Sequence, residues 1–112
     1  RYSHPVRGIL YALRHDRSYR SQVYLIGVIV TAVFYFFEPL TVTEALFLLL
    51  AYALVLITEL QNSALEAALD RIHPERHLAI GQSKDMAAGA VLTAGIFLVI
   101  VVGLIAASRW LG

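Results

Sequence analysis

Cysteine is absent from the 112 residues, which excludes a disulfide framework and thiolate chemistry. No Gly-x-x-x-x-Gly-Lys-Ser/Thr and no Gly-x-Gly-x-x-Gly occurs, so neither common glycine-rich phosphate loop is present. There is no Gly-x-Ser-x-Gly elbow to expose a serine nucleophile. His4, His15, His73 and His77 are scattered without zinc spacing, and no zinc is expected. Charged residues make up only 15% of the chain and the net charge is +1, which gives no reason to expect a nucleic-acid partner.

Apolar residues are abundant instead: 59% of the chain, with a mean hydropathy of +0.70. A water-soluble domain this small could hardly bury so many. Three apolar runs carry the excess: Val23 to Phe37 with extension to Leu40, Ala45 to Leu60, and Met86 to Ala107. A bilayer core needs about 20 helical residues. The third run meets that length, and the first needs its flanks or local thinning. Pro39 and Thr43, as breaker and helix cap, separate the first two runs. Pro74 and Gly81 punctuate the loop before the third.

Of the nine Lys and Arg residues, eight precede the first run or lie between the second and third. The positive-inside rule makes that side cytoplasmic, with the N-terminus inside and the C-terminus outside. Only Arg109 falls on the other side, next to a candidate interfacial anchor, Trp110. The segment from Arg1 to Arg20 does not read as a signal peptide, because basic and apolar residues alternate in it. Val6, Ile9, Leu10 and Leu13 recur at helical spacing there, with Arg7 and Arg14 on another face. Residues 5–20 are therefore expected to form an amphipathic helix on the cytoplasmic membrane surface. The expected fold is an all-α membrane domain: that surface helix, then spans at 22–40, 43–72 and 84–110.

The chemistry concentrates between Glu59 and Asp70. Steps of three, four and four residues link Glu59, Asn62, Glu66 and Asp70. On one helix these fall within an arc of roughly 80° and a row of roughly 16 Å. A carboxylate at membrane depth costs roughly 3 kcal/mol and usually faces a bundle interior or polar cavity. Compensation could come from Lys84, the N-terminal arginines or a divalent metal. Mg²⁺ is commonly held by one or two carboxylates and completed by phosphate oxygens. Ser83-Lys84-Asp85 opens the third span in this reading. Ser83 and Asp85 suit a helix start, whereas Lys84 opposes the macrodipole and so stands out. Small residues such as Ala90, Ala94, Gly103 and Ala107 allow close helix approach and self-association.

The motif Glu-x-x-Asn-Ser-Ala-x-Glu-Ala-x-x-Asp-Arg from Glu59 to Arg71, with Glu75-x-His77 and Lys84-Asp85-Met86-Ala87 after it, resembles the prokaryotic integral-membrane diacylglycerol kinase family. That family also includes undecaprenol kinases. The resemblance implies a homotrimer in the bacterial inner membrane that phosphorylates a lipid hydroxyl with MgATP. It implies Glu59 as catalytic base and Glu66 and Asp16 as metal ligands. It places Asn62, Asp70, Glu75, His77, Lys84 and Asp85 around the nucleotide. Tyr19 and Arg20, in the stretch that carries Asp16, are expected beside the lipid with Glu59. Asp16 stands where the family usually has glutamate, and Gln61 replaces an apolar residue and points away from the acidic row. Diacylglycerol is the favoured lipid, with undecaprenol as the alternative. A proton-coupled transporter would also explain a buried Glu59, but it leaves Glu66, Asp70, Lys84 and Asp85 idle. A purely structural assembly factor leaves Glu59 unexplained.

Overall fold

A computed structural model describes residues 3–36, 39–72 and 78–111. The described residues form four helices and no strand: α1 Ser3–His15, α2 Arg17–Phe36, α3 Val42–Ile72 and α4 Leu78–Trp110. The last three are long and apolar enough to cross a membrane. α4 has 33 residues, which at 1.5 Å per residue accounts for nearly all of the 53 Å long dimension.

The helices pack along seams that the sequence sets at heptad-like spacing. On α3 the buried apolar residues are Leu48, Ala51 and Val55; on α4 they are Ala94, Leu98, Val101 and Ile105. Ile26 and Val33 of α2 complete the core. Steps of three and four keep each set on one stripe, as in packed helix pairs. The opposite faces stay apolar and uncovered: Leu92, Val99 and Leu104 on α4 are exposed, as lipid-facing residues should be. Three threonine hydroxyls on the spans are satisfied locally. Thr31, Thr58 and Thr93 donate to the carbonyls of Gly27, Leu54 and Gly89, each at 2.8 Å.

Several boundaries differ from the sequence reading. The first helix ends at His15, not at residue 20, because Asp16 interrupts it and caps α2: its Oδ1 accepts the Tyr19 N–H at 3.0 Å. Residues 17–20 therefore belong to the first span helix. The guanidinium of Arg20 folds back onto the Leu13 and Arg14 carbonyls at 3.4 and 3.3 Å, serving the C-terminus of α1. Among the described residues of α1 only Ala12 is buried, and Val6, Ile9 and Leu10 are exposed.

The cap of α3 is Thr41 rather than Thr43. Glu44 N–H donates to Thr41 Oγ1 at 3.1 Å, and Thr41 N–H donates to Glu44 Oε1 at 3.0 Å. This reciprocal pair is a capping box, readable as Thr-x-x-Glu. α4 starts at Leu78, six positions before Lys84, so Gly81 and Ser83 are interior residues. Ser83 Oγ donates to the Ala79 carbonyl at 3.0 Å instead of capping the helix. Lys84 consequently sits beyond the first turn, and the macrodipole argument does not apply to it.

Candidate active site

The buried stripe of α3 does not stop at Val55. Continuing it by four, three, four and four residues gives Glu59, Asn62, Glu66 and Asp70. The acidic row is thus the polar end of the same seam that packs the bundle. Exposure rises along it: Glu59 is 4% exposed, Asn62 is half-buried, and Glu66 and Asp70 are exposed. Glu59 is the one buried polar side chain among the described residues.

The α4 stripe extends in the same way. Stepping back from Ala94 gives Val91, Ala87 and Lys84, all half-buried. Lys84 therefore faces α3, and its Nζ donates to Asp70 Oδ1 in an ion pair. The lysine that sequence reasoning singled out is explained by its seam position, opposite the last acid of the row. Asp85, one residue on, is exposed.

Glu59 reaches across to α2, where Ser18 Oγ donates to Glu59 Oε1 at 2.8 Å. Sequence reasoning missed Ser18. The two residues are 41 positions apart, and no periodicity joins a serine on one helix to an acid on another. Ser18 also lines a cavity of about 610 Å³ between α1, the start of α2 and α3, with Tyr11, His15, Asp16 and Ser63 among its walls. Tyr11 and His15 stack there with ring centroids 4.3 Å apart.

Asn62 presents a second unusual feature. Its Oδ1 is buried without a hydrogen-bond partner, although such acceptors are nearly always satisfied. The residue borders a cleft of about 540 Å³ between α3 and α4, lined also by Thr58, Gln61, Ala87 and Ala90. A ligand donor there would remove a penalty of about 1–3 kcal/mol.

The structure thus brings Glu59, Asn62, Asp70 and Lys84 onto one seam and adds Ser18. Glu66 lies on the same row. Tyr19 is buried, Arg20 is engaged with α1 carbonyls, and neither lines the cavity at Ser18. Glu75 and His77 lie outside the described residues. Asp16 uses Oδ1 as a helix cap, which gives the short acid at this position a structural reason of its own. Among the described residues no three His, Asp or Glu side chains converge on a metal-sized point.

Comparison with known proteins covers nearly the whole chain. The sequence model described as prokaryotic diacylglycerol kinase matches residues 3–106. A diacylglycerol kinase of Haemophilus influenzae is 30% identical over 89 residues, 80% of this chain and 74% of that protein. One of Pseudomonas aeruginosa is 36% identical over 87 residues, 78% and 69% of the two chains. One of Escherichia coli K12 is 53% identical over 47 residues, 42% and 38% of the two chains.

Proposed function

The chain belongs to the prokaryotic diacylglycerol kinase family and is a lipid kinase, and from that premise we propose that its substrate is diacylglycerol and its product phosphatidic acid. The family match selects the kinase over the transporter and assembly-factor alternatives. The observation that carries the mechanism is Glu59: a carboxylate 4% exposed, at the foot of a polar row, with a single hydroxyl partner. Burial of an acid on a span is costly and points to function.

In this reading Glu59 accepts the proton of the lipid's primary hydroxyl as that oxygen attacks the γ-phosphorus of ATP. The new O–P bond forms, the bond from the γ-phosphorus to the bridging oxygen breaks, and ADP leaves. Lys84 shifts part of its charge from Asp70 to the phosphates. Asn62 donates or accepts at the nucleotide, with Asp70 and Asp85 at its cytoplasmic side. Glu75 and His77 belong to the same site by resemblance. Catalysis of this kind is mostly positioning and charge neutralisation.

By resemblance the carboxylates of Glu66 and Asp16 are the donors for Mg²⁺, an ion commonly held by one or two carboxylates and completed by phosphate oxygens. Glu66, with Asp16, would hold it, and it would neutralise charge on the transferring phosphoryl group. The acyl chains stay in the bilayer beside the uncovered faces of the spans. The exposed Val6, Ile9 and Leu10 on α1 support an interfacial helix, on the side that the positive-inside rule makes cytoplasmic. The family resemblance implies a homotrimer, and the unpartnered acceptor of Asn62 leaves a position that a neighbouring copy or the nucleotide can fill. Tyr19 and Arg20 serve the lipid site through the α1–α2 joint.

The test uses purified protein, Mg²⁺ and ATP labelled on the γ-phosphate, with diacylglycerol and undecaprenol presented separately in mixed micelles. Label in phosphatidic acid at the higher turnover is the expected result. Preferential labelling of undecaprenol would replace the substrate, and label in neither lipid would overturn the reading.

A further inference from the structure

We propose that Ser18 is a positioning residue: by holding Oε1 of Glu59, it fixes the rotamer in which Oε2 accepts the substrate proton. The inference rests on Glu59 being the base.

A glutamate side chain has a broad terminal torsion, so a buried carboxylate with no partner would sample several orientations. Here one bond restricts it. Ser18 Oγ donates to Oε1 at 2.8 Å, and among the described residues Oε2 has no hydrogen-bond partner. The two oxygens therefore differ: one is held, and one is left to take a proton. A base must lie within hydrogen-bond reach of the proton it abstracts, in a defined geometry.

The donor is itself anchored. Ser18 stands in the first turn of α2, which Asp16 caps. Arg20 ties that turn to the end of α1 through the Leu13 and Arg14 carbonyls. Ser18 also lines the cavity of about 610 Å³ between α1 and α3. The orientation of Glu59 is thus set by the α1–α2 joint and not by α3 alone.

The experiment compares full-length wild type with Ser18→Ala, Ser18→Thr and Glu59→Gln. Ser18→Ala is expected to lower kcat about tenfold, equivalent to about 1.4 kcal/mol, with KM for ATP and for lipid unchanged. Ser18→Thr, which keeps the hydroxyl, restores kcat. Infrared difference spectra between wild type and Ser18→Ala should show a shifted carboxylate stretch that vanishes in a Glu59→Gln background. If Ser18→Ala does not assemble, Ser18→Cys keeps the volume with a far weaker donor and should show the same loss of kcat. Wild-type kcat in Ser18→Ala or Ser18→Cys, a loss shared by Ser18→Thr, or a carboxylate shift that persists without Glu59 overturns the proposal. Near-normal activity of Glu59→Gln instead overturns the base assignment itself. An inactive Glu59→Gln beside a fully active Ser18→Ala overturns only the role of Ser18.

Discussion

The α3–α4 seam ends in an ion pair at both extremities, and the two pairs are built differently. At one end Arg109 grips Glu44 with two nitrogens, at 3.2 Å from Nε and 2.7 Å from a terminal nitrogen. The same guanidinium donates to the Pro39 carbonyl at 2.7 Å, and Glu44 also closes the capping box with Thr41. The side chains are 25% and 18% exposed. At the other end Lys84 makes a single contact to Asp70, and the two are 33% and 64% exposed. Nearby, Asn62 Oδ1 has no partner and Glu59 has one. Charges that hold the fold are satisfied by the chain itself, with planar, two-point geometry. Charges at the opposite end are left with spare hydrogen-bonding capacity, which a ligand can use.

The sharpest break between the two ends should come from Glu59. Glu59→Gln keeps shape and burial but removes proton acceptance. General-base catalysis contributes about 10²–10⁴-fold, so kcat should fall at least about 100-fold while calorimetry finds ATP affinity unchanged. Lys84 comes next. In the proposed mechanism Lys84→Met removes a charge at the phosphates, and loss of one such stabilising group costs about 100-fold or more in kcat. KM for ATP should rise with it. If Lys84→Met lost no more activity than Arg109→Met, the contrast between the ends would disappear.

Much of this contrast was legible in one dimension. The three spans follow from apolar run length, and the acidic row from its steps of three and four. What periodicity did not give was the partner of each charge. Glu44 and Arg109 occupy the continuation of the two packing stripes, four positions before Leu48 and four after Ile105. Their pairing is implicit in the seam register, which the distribution of charge between the two sides of the membrane does not reveal. Gly81 and Ser83 resemble loop residues, so the start of α4 expected from sequence falls too late, while no proline follows Pro74 to stop a helix there. Asp16, expected as a metal ligand, serves as a helix cap, a use for which a short carboxylate is equally suited. Ser18 was out of reach: a hydrogen bond across 41 positions depends on how α2 docks on α3, and no local signal encodes that.

Asn62 separates stability from function within the polar end. Asn62→Leu is close in volume and removes the buried acceptor that has no partner. Replacing an unsatisfied polar group by an apolar one of similar shape can be neutral or stabilising. The thermal midpoint of the ligand-free protein should therefore hold or rise, while KM for ATP rises several-fold, about tenfold if one hydrogen bond to nucleotide is lost. A clear drop in the thermal midpoint would mean that Oδ1 is satisfied in the assembled protein and serves the fold.

The smallest effect on activity belongs to the closed end. Arg109→Met strips Glu44 of both guanidinium bonds and frees the Pro39 carbonyl, loosening the connection between α2 and α3 and the end of α4. Glu44→Gln should be milder, because an amide can still accept from the Thr41 N–H and from Arg109. Thermal unfolding in detergent should therefore rank wild type above Glu44→Gln and Glu44→Gln above Arg109→Met. All three should keep the same kcat when assayed well below their midpoints, because this clamp lies at the end of α3 and α4 remote from Glu59. A fall in kcat for Arg109→Met under those conditions would show that strain at the clamp is transmitted along the seam to Glu59. The two ends would then be one mechanical unit rather than a structural end and a chemical one.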